Sequence, residues 1–206
     1  MKDLFESPGL ERLPLVDAEL YLQREIKLDY PDGQLVERLI ATTPWRQEQI
    51  KLYGKLYLQP RLSAWYGNQG LDYAYSGIQL SALPWTDLLL EIKARIEAVA
   101  GQGFNSVLLN YYRNQDDSMG MHSDDEVELG RQPVIASLSL GDKRNFILRH
   151  KNRKDIDSVR LVLGSGSLLI MKGDTQAMWK HGIPKQRNTC GPRINLTFRT
   201  IKKTIC

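Results

Sequence analysis

Hydrophobic positions in this chain follow two different periods. Between Asp32 and Pro44, Leu35, Val36, Leu39 and Ile40 recur at helical spacing, and between Thr86 and Gly101 the same holds for Leu88, Leu89, Ile92, Ile96 and Val99. Asp32 and Thr86 are the expected N-caps, with Pro44 and Gly101 as the stops. After Gly103 the pattern changes to short runs with turn residues between them. The predicted strands are Ser106 to Tyr112, Val134 to Leu140, Arg144 to His150, Ser158 to Leu163, Ser167 to Met171 and Arg193 to Ile201. Gly141-Asp142-Lys143, Gly164-Ser165-Gly166 and Lys172-Gly173-Asp174 stand where turns are needed. Six short strands over roughly 95 residues predict an antiparallel sandwich or barrel with the helices outside one sheet, an α+β fold that is mainly β.

The first 44 residues read as an N-terminal cover, in which short apolar pieces alternate with charges and prolines ahead of the first helix. Residues 45–80 have β-formers around Gly54, with aromatic residues interleaved with Lys51, Lys55 and Arg61. Such a surface can stack bases and pair with phosphates, although tyrosines and tryptophans in strands are also ordinary half-buried core. With no internal repeat and no linker, residues 1–206 are expected to form one domain.

Composition narrows the class only a little. The chain is 42% hydrophobic and 25% charged, and 28 Lys and Arg against 24 Asp and Glu leave a net charge of +4, which permits a polyanionic partner without requiring one. Cys190 and Cys206 form no metal-type pair and no disulfide framework, so a reducing cytoplasm is expected. The N-terminus lacks the apolar run of a signal peptide, and no stretch approaches the roughly 18 apolar residues of a membrane span. The expectation is a soluble, monomeric, cytoplasmic protein with no membrane contact.

Candidate chemistry centres on Met121-His122-Ser123-Asp124-Asp125-Glu126. A histidine and a carboxylate two residues apart can close on one metal ion, and His181 offers a third ligand. Two histidines and one carboxylate leave coordination positions open, which suits non-heme Fe(II) oxygen chemistry better than a closed structural site. In the last strand a period of two places Arg193, Asn195, Thr197 and Arg199 on one face and Ile194, Leu196 and Phe198 on the other. Arginines that point into a cavity need anions, and a ligand with two carboxylates would satisfy both. Asn110 and Tyr112 share a face and can bond the same small dicarboxylate; pairing of these groups with local Asp and Glu is the alternative. His150 has no carboxylate at ligand spacing, and Ser123 and Cys190 have no visible partner for nucleophilic work.

Taken in order, Pro60-Arg61-Leu62-Ser63-Ala64-Trp65-Tyr66-Gly67, Tyr73-Ala74-Tyr75-Ser76-Gly77, Asn110-Tyr111-Tyr112-Arg113-Asn114, Met121 to Glu126, Trp179-Lys180-His181 and Pro192 to Arg199 resemble the AlkB family of Fe(II)- and 2-oxoglutarate-dependent dioxygenases. The likeness covers roughly residues 45 to 201 and is closest to the alkylation-repair branch that contains the animal DNA-repair homologues and their bacterial relatives. It implies a double-stranded β-helix, or jelly roll, with a nucleotide-recognition lid at 45–80 and a helix plus catalytic core at 81–206. It also implies iron held by His122, Asp124 and His181. The co-substrate 2-oxoglutarate would be gripped by Arg193, with Arg199, Asn195, Asn110 and Tyr112 completing the hold, and O2 would take the remaining position. Decarboxylation to succinate and CO2 would then drive hydroxylation of an N-methyl group and release of formaldehyde.

On the substrate side the resemblance implies that Tyr75 stacks on a flipped base and that Asp125 and Glu126 read its edge. Lys51, Lys55 and Arg61 would contact phosphate, together with some of Lys143, Arg144, Arg149, Lys151, Arg153 and Lys154. A lesion such as 1-methyladenine or 3-methylcytosine blocks Watson–Crick pairing and so lowers the cost of extrusion. The hydrophobic finger of one animal homologue is not recognisable around Gln47 to Gly54, which leaves single-stranded DNA, duplex DNA and RNA all open. Two other readings remain at this level: the same iron chemistry on a protein or small molecule, and a non-catalytic module that binds damaged bases.

Overall fold

The apolar stripe read between Thr86 and Gly101 is a helix in space, and its ends are those the sequence dictates. Thr86 Oγ1 accepts from the Leu89 amide at 3.2 Å, and Gly101 closes the helix in the left-handed conformation at φ 69°. The computed structural model describes residues 9–52, 54–75 and 78–202, with the backbone alone at 32, 51–52, 72–75 and 78–81. In chain order, β1 (Leu10–Leu13), β2 (Glu19–Gln23) and α1 (Asp32–Thr42) lead to β3 (Gln49–Leu52), β4 (Lys55–Leu58), β5 (Leu62–Gly67), β6 (Asp72–Tyr75) and β7 (Ile78–Ser81). Then come α2 (Asp87–Ala100), β8 (Ser106–Tyr112), β9 (Met119–His122), β10 (Ile135–Gly141), β11 (Arg144–His150), β12 (Val159–Leu163) and β13 (Leu168–Lys172). The short α3 (Thr175–Met178), β14 (Trp179–Ile183) and β15 (Arg193–Arg199) complete the described elements.

The strands form a seven-stranded sheet in the order β1-β2-β13-β10-β15-β8-β5, a four-stranded sheet in the order β12-β11-β14-β9, and the hairpins β3-β4 and β6-β7. All of these pairings are antiparallel. One hydrophobic cluster joins α1 and α2 to one face of the large sheet, through Leu35, Leu39, Leu89, Ile92 and Ile96 on the helices and Val107, Leu109, Leu138, Leu196 and Phe198 on the strands. A second cluster fills the space between the two sheets, with Leu20, Leu108, Ile135, Leu169 and Met171 from one and Phe146, Leu148, Leu163, Trp179 and Ile183 from the other. Each buried leucine or isoleucine contributes about 1.5–3 kcal/mol. Two facing antiparallel sheets with helices on one outer face make the jelly roll the sequence implied.

Three local expectations are corrected. Asp32 does not cap α1 but is its first residue; Pro31 stands at the cap with ψ 135°, and no side chain bonds there. The helix stops at Thr42 because Thr43 precedes Pro44 and is held extended at ψ 131°. The N-terminal segment does more than cover the core: β2 pairs with β13 and extends the large sheet. Between Ser106 and Arg199 there are eight strands rather than six, the additional ones being β9 and β14. Neither has the alternation that marks a strand, because their inward positions are taken by His122 and His181 and each contains a glycine.

Candidate active site

The two strands that the hydrophobic pattern does not reveal carry the histidines. His122 ends β9, His181 lies on the adjacent β14, and the two are register partners. Their ring centroids stand 4.4 Å apart. Gly182 permits this close pairing, since a Cβ there would lie 2.9 Å from the Met119 carbonyl oxygen. Asp124 follows two residues after β9, fully buried, with Oδ1 at 3.8 Å from His122 Nε2 and Oδ2 at 3.9 Å from His181 Nε2. One potential ligand atom from each of the three residues lies within 4.8 Å of the others.

Protonation favours metal binding. His122 Nδ1 lies 2.9 Å from the Gly120 carbonyl, which can only accept, so Nδ1 carries a proton and Nε2 is the ring nitrogen turned toward Asp124. Burial, with the neighbouring His122, pulls the His181 pKa down to about 3, so that ring is neutral throughout the physiological range. Burial pushes Asp124 up, but Arg199 above all, with His181 and His122, brings it below the usual carboxylate value. Two imidazoles and one carboxylate form the donor set of a facial triad with open positions, and the residues fit a divalent iron.

The turn that carries Asp124 is fastened to the segment before His181. Gln176 Oε1 accepts from the Asp124 amide at 2.9 Å, and the Ser123 hydroxyl donates to the Trp179 carbonyl at 2.9 Å. Arg199 donates to Asp124 Oδ1 at 2.6 Å. These bonds orient the ligands from behind. Ser123 is thus a structural hydroxyl.

Beside this cluster lies a cavity of about 440 Å³, measured to its open mouth, lined by polar residues of β8, β10 and β15 and by the metal-ligand set. The period of two holds on all three strands. On β15, Ile194, Leu196 and Phe198 enter the helix-side core, while Arg193, Asn195, Thr197 and Arg199 face the cavity. Asn110 and Tyr112 of β8 face it as well. Arg193 is 1% exposed and gives one hydrogen bond, from Nη2 to Ser139 Oγ at 2.9 Å, while its Nε and Nη1 are buried with no hydrogen-bond partner. Its guanidinium lies 5.2 Å from the Tyr112 ring centroid, and Arg144 sits against the same ring at 5.5 Å. Burial lowers the Arg193 pKa, Tyr112 opposes the shift and Arg144 adds to it. A buried cation with two idle donors, facing a cavity, fits an anionic ligand such as the far carboxylate of 2-oxoglutarate.

Asn195 spends its amide within the sheet, donating to Ser137 Oγ and the Leu138 carbonyl at 2.9 Å each and accepting from Thr197. Arg61 departs from its expected role. It is 5% exposed and donates from Nε to Asn110 Oδ1 at 2.8 Å, so a phosphate on the surface is out of its reach. With Asn110 Oδ1 occupied, the Asn110 NH2 group is left as the donor to the cavity. Arg144 is likewise buried, with Nη1 and Nη2 donating to the carbonyls of Asn114, Asp117 and Pro184 and Nε left without a hydrogen-bond partner. Both arginines leave the set of surface phosphate contacts because they are buried.

Asp125 is exposed, and its carboxylate meets Lys151 Nζ at 3.0 Å; the same amine donates to the Gln176 carbonyl at 2.8 Å. Glu126 is half-buried, and Lys55 is exposed on β4. The side chains of Lys51 and Tyr75 lie outside the described residues, as do Ser76 and Gly77. His150 is buried against Trp179, 5.1 Å between ring centroids, with Nδ1 accepting from the amides of Asn152 and Arg153; it is not in the ligand cluster. Gln176 had no signal in the sequence; Lys151 and Arg61 stood out only as cations for phosphate, and nothing in the sequence joined them to Asp125 and Asn110. Ser137 and Ser139 had a signal, in the alternation of the strand that carries them.

Fold and site together define a 2OG-Fe(II) oxygenase: the model of that superfamily matches residues 31–199, and the chain belongs to it. Within the superfamily it is a member of the AlkB family. It is 42% identical over 162 residues to the mouse DNA oxidative demethylase ALKBH2, covering 76% of this chain and 68% of that protein. It is 45% identical over 175 residues to the human alpha-ketoglutarate-dependent dioxygenase alkB homolog 3, covering 81% of this chain. The chain spans 60% of the length of that human relative. The solved structure of OsALKBH1 superposes with a TM-score of 0.59 at 19% identity, covering 93% of this chain and 99% of that one, a likeness of fold.

Proposed function

We propose that this protein removes N-methyl groups oxidatively from bases such as 1-methyladenine and 3-methylcytosine in DNA or RNA, with 2-oxoglutarate as co-substrate. The observation that carries the reading is the three-ligand cluster beside a cavity in which Arg193 holds two idle donors. Fe(II) held by His122, Asp124 and His181 would supply the O2 activation that couples decarboxylation of 2-oxoglutarate, to succinate and CO2, to hydroxylation of the methyl group. Arg193 anchors the far carboxylate of the co-substrate, and the Asn110 amide, turned by Arg61, donates to it. Arg199 keeps Asp124 ionised and aimed at the ligand set. Because the hydroxymethylated nitrogen is a hemiaminal, it loses formaldehyde and leaves the unmodified base.

Tyr75 provides the stacking surface for the flipped base, and Asp125 and Glu126 read its edge, with Lys151 setting the position of the Asp125 carboxylate. Lys51 and Lys55 contact phosphate from the β3-β4 hairpin. The substrate range is supported by the relatives, one of which is named a DNA oxidative demethylase. The test supplies purified protein with Fe(II), ascorbate, 2-oxoglutarate and single-stranded or duplex oligonucleotides bearing 1-methyladenine or 3-methylcytosine. Formaldehyde and the restored base are expected together. If succinate forms with neither of them, the oxygenase assignment stands and the substrate assignment falls.

A further inference from the structure

The four-stranded sheet shows its cavity side to the metal ligands, and its opposite face carries charge of one sign. Arg149 of β11 and Lys180 of β14 are register partners, and Arg160 of β12 stands opposite Ile147, two residues from Arg149 along β11. All three cations are exposed. The other outward positions on these three strands are Asn145, Ile147, Val162 and Gly182, with the Met121 sulfur close against Gly182 from β9, and none of them is acidic.

Some surface cations elsewhere find carboxylates, as Arg95 does with Asp29, Arg113 with Asp117, Arg153 with Asp155 and Lys93 with Glu97, while others, such as Lys27, stand singly. Among the described residues, Arg149, Arg160 and Lys180 pair with none. Like charges directly opposite on neighbouring strands are destabilising, so an external anion would relieve this arrangement. The face also adjoins the site. Met121 immediately precedes His122 on β9, an edge strand of the sheet, and Lys180 immediately precedes His181.

We propose that this outer face is a track for the phosphodiester backbone of a single nucleic-acid strand, beyond the nucleotide whose base enters the cavity. The inference rests on the reading of the site as acting on a base within a polynucleotide. Arg149, Lys180 and Arg160 supply contacts that need no base identity, as a uniform phosphate backbone requires. Ile147, Val162 and Met121 offer apolar surface to sugars and base faces. A strand too short to leave the mouth of the site gains nothing from the track, whereas a longer one does.

The experiment measures binding by fluorescence anisotropy, anaerobically with Fe(II) and 2-oxoglutarate, for a 5-mer and a 15-mer that each carry one 1-methyladenine. Wild type is compared with the double variant Arg149→Gln/Lys180→Gln and with Lys27→Gln, an exposed lysine after β2. In the double variant the 15-mer is expected to bind about tenfold more weakly. The slope of log affinity against log salt should fall by roughly 1.4, from two contacts at about 0.7 each on a single strand. Affinity for the 5-mer and its demethylation should stay at wild-type values, and Lys27→Gln should change nothing. Unchanged 15-mer affinity and slope in a folded double variant would overturn the track while leaving the demethylase reading intact. An equal loss on the 5-mer would also overturn it, because the effect would then belong to the site. If wild type neither binds nor demethylates either length, the demethylase reading fails and the track falls with it.

Discussion

Replacing Arg193 by methionine should make the ligand-free protein more stable and the co-substrate almost unable to bind. The wild-type side chain is 1% exposed, two of its nitrogens have no hydrogen-bond partner, and Arg144 shares the Tyr112 ring with it. Each buried unsatisfied donor costs about 1–3 kcal/mol. Against this stand one hydrogen bond to Ser139 Oγ, worth about 1 kcal/mol, and a cation–π contact worth roughly 1 kcal/mol. Methionine fills comparable space without charge, so two such donors, less about 2 kcal/mol of lost contacts, put the net gain for the empty site at about 0–4 kcal/mol, centred near 2. For a chain of this size the central value raises Tm by roughly 4–8 °C.

Binding should move the other way. Removing one partner of a buried charge pair costs about 2–5 kcal/mol, or roughly 30-fold to several thousand-fold in 2-oxoglutarate affinity. Thermal melts with and without 2-oxoglutarate and a redox-inert divalent ion read both effects at once. At a co-substrate concentration about 100 times its Kd, wild type gains about 2.7 kcal/mol from ligand, and the variant should gain almost none. A variant that melts below wild type and still shows the full ligand-induced rise would falsify the argument that Arg193 is held ready for an anion.

Gln176→Leu should weaken divalent metal binding about 10- to 100-fold, since the Asp124 amide loses its acceptor, and Gln176→Glu should recover much of it; Co(II) titration followed by absorbance distinguishes the two. Arg61→Leu should release the Asn110 amide and raise the KM for 2-oxoglutarate several-fold, with salt-dependent affinity for oligonucleotides unaltered; a change in salt slope alone would return Arg61 to the phosphate contacts. Asp117 accepts three hydrogen bonds from Arg113; burial raises its pKa, but those bonds outweigh that and hold it below 3.8. Its folded value is thus the lower one, and its stabilisation is complete above the unfolded value and lost as pH falls through the folded one. Urea melts between about pH 5 and 2 should therefore lose less stability on acidification for Asp117→Asn than for wild type.

Much of this architecture is written in periodicity. The α2 helix, with its threonine cap and glycine stop, and the two-sided β15 follow from side-chain spacing alone, because in both cases one face meets apolar neighbours and the other does not. The ligand strands β9 and β14 break that logic: where a histidine replaces the apolar residue on the inward face, the alternation that identifies a strand disappears at the position that matters most for chemistry. Arg61 and Arg144 show a different limit. Sequence counts a guanidinium as a surface cation, whereas Asn110 and three backbone carbonyls supply enough acceptors to hold these two inside. Nothing in local sequence joins Gln176 to Asp124, since that contact depends on how β9 and β14 pair.

The strand β15 is buried along its whole length, yet its two faces meet different worlds. Ile194, Leu196 and Phe198 lie in the core under the helices, and Arg193, Asn195, Thr197 and Arg199 line the cavity. Burial is usually read as a proxy for structural intolerance, and here it would predict one uniform band of sensitivity across seven positions. The strand instead separates two phenotypes residue by residue. Substitutions at even-numbered positions should lower the amount of folded protein in a cell, while many at odd-numbered positions should leave abundance intact and abolish turnover. Paired abundance and activity readings across this one segment would alternate with the pleat of the backbone itself.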